Sequence, residues 1–258
     1  MVSTYTVTAL AALSLASVAC RPAAPPSVDA ELAACVPGDT LVLAGIHLDQ
    51  LRANPLFQKL SRNWSQMLEP FRDASYVWVA YNGRDLLFIA HGEFRTTPAG
   101  ASLLTPQLAL AGPADIVRTA TAQHATGRTG VPSLVAISKG IAARPVWAVV
   151  LGGRPLPITG NSTNLNWLLR FTESATFSAE LDSRVTLHAT GVCHGADAAG
   201  QVEETLRGLF SLAAAAARDR DLSALLDSVQ IRRDDATVRA DLAAAPDALE
   251  KLLREVAR

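Results

Sequence analysis

Residues 76–94 read YVWVAYNGRDLLFIAHGEF, two apolar runs joined at Asn82-Gly83. Asn and Gly both tolerate the positive φ that a two-residue hairpin turn requires, and such a turn joins antiparallel strands. Each strand then carries an apolar face that must be buried against another layer. The chain has the material for this, with 258 residues, 49% of them hydrophobic and 18% charged. That is not the polar composition of a disordered chain. The first expectation is therefore an antiparallel sheet covered by helices.

The remaining pattern fits around that hairpin. After a Pro37-Gly38 turn, residues 39–48 (DTLVLAGIHL) predict a short apolar strand. Leu51, Leu56, Phe57, Leu60, Trp64, Met67, Leu68 and Phe71 then follow a mainly helical spacing. Asn54-Pro55 interrupts it, and Pro55 suits the first turn of a second helix. Beyond the hairpin come a strand at 108–111, a helix opened by Pro113 and a short helical segment at 134–141. The second half repeats the order. Residues 145–151 predict a strand, 164–171 a helix, and 176–181 with 184–193 a hairpin about Asp182-Ser183. Asp197 is placed to cap a long helix bearing Val202, Leu206, Leu209, Phe210 and Ala213, continued by Leu222, Leu225, Leu226 and Val229. Residues 230–233 and 237–242 pair about Asp234-Asp235-Ala236, and Pro246 opens a last helix burying Leu249, Leu252, Leu253 and Val256.

The N-terminus reads as a targeting segment. Residues 7–19 are small or apolar and uncharged, too short a run to span a bilayer, which takes about 20 residues. They suit the apolar region of a secretory signal. The run ends Ser17-Val18-Ala19-Cys20, and a Cys directly after small residues resembles a bacterial lipoprotein signal, in which that Cys becomes the lipidated first residue. Pro22, Pro25 and Pro26 follow and stiffen the chain into an extended spacer. The expected organisation is a signal peptide at 1–19, a lipid-anchor Cys20 with a Pro-rich tether at 20–38, a first α+β half at 39–141 and a second at 142–258.

In layout the twice-repeated order strand, helix, hairpin, helix resembles the ferredoxin-like βαββαβ arrangement, split and duplicated. The expected fold class is α+β, an antiparallel sheet with helices on one face and two ferredoxin-like halves related by internal duplication. Signal and layout together resemble uncharacterised bacterial envelope lipoproteins, which implies export and a lipid anchor facing the periplasm or exterior.

The sequence is sparing with chemistry. With 23 Lys+Arg against 24 Asp+Glu, the chain has no basic excess for a nucleic-acid partner. It contains no G-x-S-x-G, no G-x-x-x-x-G-K-[ST] and no G-x-G-x-x-G. Once Cys20 is set aside, Cys35 and Cys193 are left either as a disulfide pair or as two separate buried thiols. His188 and His194 share a strand but lie about 20 Å apart along it. His47 with Asp49, and His91 with Glu93, would fall at opposite edges of neighbouring strands, so no metal site is expected. Trp64, Trp78, Trp147 and Trp167 stand among apolar residues and read as core. Arg232, Arg233 and Arg239 read as charge protecting an edge strand. The expected role is a non-catalytic, lipid-anchored envelope protein that binds a protein partner or serves assembly, with no cofactor and no nucleic acid. The alternative is a carrier of an apolar ligand between sheet and helix layers. An exported hydrolase with a Ser-His-Asp site assembled in space ranks below both.

Overall fold

The computed structural model describes residues 28–61, 71–157, 163–182 and 184–249. Its centre is one ten-stranded sheet. The strands are β1 (Val42–His47), β2 (Ala74–Tyr81), β3 (Leu86–Gly92), β4 (Ala101–Thr105), β5 (Leu108–Ala111), β6 (Val146–Leu151), β7 (Thr172–Leu181), β8 (Val185–Cys193), β9 (Gln230–Asp234) and β10 (Thr237–Ala244). They lie in the order β4-β5-β3-β2-β1-β6-β7-β8-β10-β9. Every pairing is antiparallel.

Read outward from the β1–β6 seam, both halves follow the same course: three successive strands as a meander, then an outer pair in inverted order. A split βαβ unit needs a parallel pair, and there is none among these pairings. The α+β antiparallel sheet stands, while the ferredoxin-like strand order is replaced by this meander. Residues 39–141 and 142–258 meet inside one continuous sheet, with Val42 to Ile46 paired to Val150 to Val146 across the seam.

The helices are α1 (Val28–Ala34), α2 (Leu48–Leu51), α3 (Pro55–Ser61), α4 (Ala114–Ala125), α5 (Pro132–Ser138), α6 (Thr163–Arg170), α7 (Ala196–Ala216) and α8 (Arg220–Asp227), and residues 246–249 are helical at the end of the described chain. They are not all on one face. Leu32, Ile116, Ala120 and Leu134, from α1, α4 and α5, pack on Leu43, Trp78, Leu87, Ile89, Leu110, Trp147 and Val149. On the opposite face of the same half, Leu48 and Phe57 of α2 and α3 join Phe71 over Val77, Ala90 and Ala109. The first half is thus covered on both sides. In the second half α6, α7 and α8 all lie on this opposite face, against Val150, Ala175, Ile231, Val238 and Leu242.

Several local expectations change. The Asn82-Gly83 hairpin forms, but Tyr81 pairs with Leu86, so its loop spans residues 82–85. Asn82 Oδ1 accepts from the amides of Arg84 and Asp85 at 3.0 and 2.8 Å, an Asx turn that widens the loop, and only Gly83 takes a positive φ, of 99°. The tight turn is at Asp235-Ala236, where Thr237 pairs with Asp234 and Asp235 adopts φ 49°. Asp197 does not cap α7. Gly195 is the capping position, and Asp197 lies in the first turn, where its charge meets the positive helix end. The long helical run breaks after Ala216 because the Asp219 carboxylate accepts from the amides of Asp221 and Leu222 and starts α8. Residues 28–36 are part of the body, not of a tether: α1 forms, and Leu32, Cys35 and Val36 are fully buried. β4 has no counterpart in the sequence reading. The signal segment, Cys20, the prolines at 22, 25 and 26, Trp64, Ser183, Leu252, Leu253 and Val256 lie outside the described residues.

Candidate functional site

Paired residues of an antiparallel sheet point to the same face, so the register sorts the side chains of the second half. On the helix-covered face the row through Ala44 runs Ala148, Phe177, Ala189, Ala240, Ile231. The row beyond it runs Val42, Val150, Ala175, Gly191, Val238. Most of these positions are Ala or Gly. Helices packed on so shallow a floor cannot interdigitate to normal interior density, and space is left between the layers.

That space is a groove with two adjoining parts. The larger, about 480 Å³, lies over Ala44, Ile46, Ala148, Ala179, Leu187 and Leu242, with Val229 at its side. The smaller, about 270 Å³, lies between Ala175, Gly191 and Val238 of the sheet and Leu165, Leu169 and Val202 of the helices. Phe177, Ala189, Phe210 and Ala240 line both. Phe177 is 41% exposed, a large side chain left without full cover. β6, β7, β8 and β10 each have a neighbour on both sides, so their backbone groups are spent in the ladders. Neither the floor nor the lining side chains hold a charge aimed into the groove; the groove offers dispersion and burial.

The other face of this half is polar. Thr176, Ser178, Thr186, His188, Thr190, Arg239 and Asp241 stand on it; among the described residues a hydrophobic cluster reaches this face only at β6, through Trp147 and Val149, and none extends over β7, β8 or β10. One row runs Trp147, Ser178, His188, Asp241. It brings together a hydroxyl, an imidazole and a carboxylate, and His188 Nδ1 lies 2.7 Å from Asp241 Oδ1. Ser178 makes no hydrogen bond to His188 among the described residues. The amides around it are engaged in the β6–β7 and β7–β8 ladders, so none is free to stabilise an oxyanion.

The other singled-out residues fall into structural places. β1 and β3 are not neighbours: they flank β2 and run parallel, so His47, Tyr76 and His91 share one row. Two strand spacings, about 9.6 Å, separate the histidines. His47 stacks on Tyr76 with ring centroids 3.7 Å apart, and its Nε2 is 2.7 Å from the Ala142 carbonyl oxygen. The Trp147 indole donates to the Tyr76 hydroxyl at 3.0 Å. Trp78 meets Trp147 edge to face, and both are 1% exposed, as core. Trp167 packs on Phe171. His194 lies 3.9 Å from Glu173. No group of three His, Cys, Asp or Glu side chains could hold a metal among the described residues.

Cys35 and Cys193 are free thiols in different clusters. Burial, with Glu31 adding to it, pushes the Cys35 thiol up to about 12, and burial raises that of Cys193. Neither is a thiolate nucleophile at neutral pH. Arg233 pairs with Glu203 at 3.1 Å and Arg239 with Asp234 at 4.0 Å, while Arg232 donates to Gln230, so these arginines dress the β9 edge. The small-residue alternation that makes the groove is visible in the sequence, but an Ala signals nothing until the register puts it on a covered face.

The fold and groove define an α+β protein with an open antiparallel sheet and an apolar space under its second-half helices. Two solved structures share that fold, crystal forms I and III of TP0453. They align with TM-scores of 0.52 and 0.51 at 8% and 6% identity, over 86% of this chain and 95% and 96% of theirs. At such identity the likeness concerns the fold alone. No protein-family model and no curated protein matches the chain. Among the described residues no helix is long and apolar enough to cross a membrane.

Proposed function

We propose that this protein is a non-catalytic, exported envelope protein, anchored through a lipidated Cys20, that holds the hydrocarbon part of a lipid in the groove between its sheet and α6, α7 and α8. One observation carries this reading: two adjoining cavities of about 480 and 270 Å³ lined almost wholly by apolar side chains. Volumes of that order are typical of ligand sites. An occupant without hydrogen-bonding groups suits the groove, because a polar one would lose its water and gain no partner. A hydrocarbon chain gains about 0.8 kcal/mol for each methylene withdrawn from water. The polar head would stay outside, since His188 and Asp241, which border the larger cavity, stand in the row that faces the other side of the sheet.

The non-catalytic part of the reading is supported by the Ser178–His188–Asp241 row, which has no seated nucleophile and no free amides. The anchor is supported by the sequence around Cys20 and its proline spacer.

The test is fluorescence titration of the purified protein with dansyl-undecanoate, followed by displacement with palmitate. Saturable enhancement that palmitate reverses is expected, and Ala189→Leu, which fills the floor where the two parts meet, should abolish it. No enhancement with the wild-type protein, or full enhancement with Ala189→Leu, would overturn the reading. The intact mass of the membrane-extracted N-terminus tests the anchor, with an added acyl mass on Cys20 expected.

A further inference from the structure

We infer that Phe177 and Phe210 form a neck that divides the groove into two chambers in series and so sets the length of the acyl chain it takes. This rests on the lipid-binding reading above. The two cavities share four residues: Phe177 and Ala189 and Ala240 on the sheet, and Phe210 on α7. Of these only the two phenylalanines are large. Phe177 stands on the sheet and Phe210 on α7 at the boundary between the two cavities.

The chambers follow one another along the strands. On β7, Ala175 lines the smaller, Phe177 both, and Ala179 the larger. At about 3.3 Å per residue, Ala175 and Ala179 are about 13 Å apart. The groove is therefore elongated along β7 and β8, a shape for one unbranched chain and not for a fused ring system. Phe177, 41% exposed, stands at the boundary that the two chambers share. The smaller lies between Leu169, Val202 and Val238, which are 2%, 4% and 2% exposed. A short chain ends at the neck. A longer one passes it and gains the burial that the smaller chamber offers.

Gly191 lines only the smaller chamber, and a Cβ placed there would meet nothing closer than the Thr172 methyl at 3.4 Å. Gly191→Val therefore fills that chamber at little cost to the sheet, and Phe177→Trp narrows the neck from a position already partly exposed. Displacement of dansyl-undecanoate by laurate and by stearate from the full-length protein measures the preference. The wild type should favour stearate, and either variant should lower the stearate-to-laurate affinity ratio about tenfold, the loss of roughly two buried methylenes. Circular dichroism confirms that each variant folds. If both fatty acids displace the probe and neither variant moves the ratio, the two-chamber inference fails while the lipid reading survives. If neither fatty acid binds the wild type, both fail.

Discussion

The two halves of the sheet run the same course outward from the β1–β6 seam, yet they are finished differently. The first is sealed on both faces, by α1, α4 and α5 on one and by α2 and α3 on the other. In the second, among the described residues, the strands beyond β6 are covered on one face only, and loosely. The difference lies in side-chain volume. Under α4 and α5 stand Leu87, Ile89, Leu108, Leu110, Trp78 and Trp147, all 1% exposed or less. Under α7 stand Ala189, Gly191 and Ala240. One strand order thus carries a packed core on one side of the seam and a groove on the other.

The largest effect expected from this contrast is in the packed half. Trp147→Ala should cost about 3–5 kcal/mol, because it removes a buried indole, its contact with Trp78 and its hydrogen bond to Tyr76. Urea unfolding measures it, and a cost below about 1 kcal/mol would mean this half is no better packed than the other. A second test uses pH. Cys35 keeps its proton up to about 12 in the fold but only to its ordinary 9.0 when unfolded, and Tyr76, raised to about 12 chiefly by burial, acts in the same direction. Across that window the unfolded chain binds fewer protons, so stability is level below about pH 9 and falls from there toward 12. Cys35→Ala should flatten that fall in a thermal melting series, and an unchanged slope would remove Cys35 as its source. The smallest effect is in the roof of the groove. Asp219→Ala removes the cap of α8 and should cost about 1 kcal/mol, read as faster amide exchange in α8 with α4 and α5 unaffected. Exchange that quickens equally in both halves would deny them separate local stabilities.

Much of the fold was legible, for identifiable reasons. The strands of the first hairpin show because apolar runs flank a turn signal. α4, α5 and α8 show because their buried residues recur at helical spacing. The errors have causes as well. Asn82 spends its side chain on an Asx turn, which no propensity for positive φ reveals. α1 was hidden behind the prolines before it, although Leu32, Cys35 and Val36 are apolar enough to be core. The sequence places the strands of His47 and His91 side by side, whereas the meander sets β1 and β3 on either side of β2. The groove was foreseen only as a general possibility of layered folds. Its residues are alanines and a glycine, whose meaning depends on register.

Trp147 belongs to the second half by chain order, yet it lies over Gly45 of the first, so closely that a Cβ there would sit 2.2 Å from the indole ring. The Tyr76 hydroxyl, also of the first half, receives its N–H. Each half thus lends the other part of its interior. A gene cut between the codons for residues 141 and 142 would yield two fragments, one with a bare glycine notch and the other with an orphaned indole. Neither would be a finished protein, and each would carry the template for recapturing its mate.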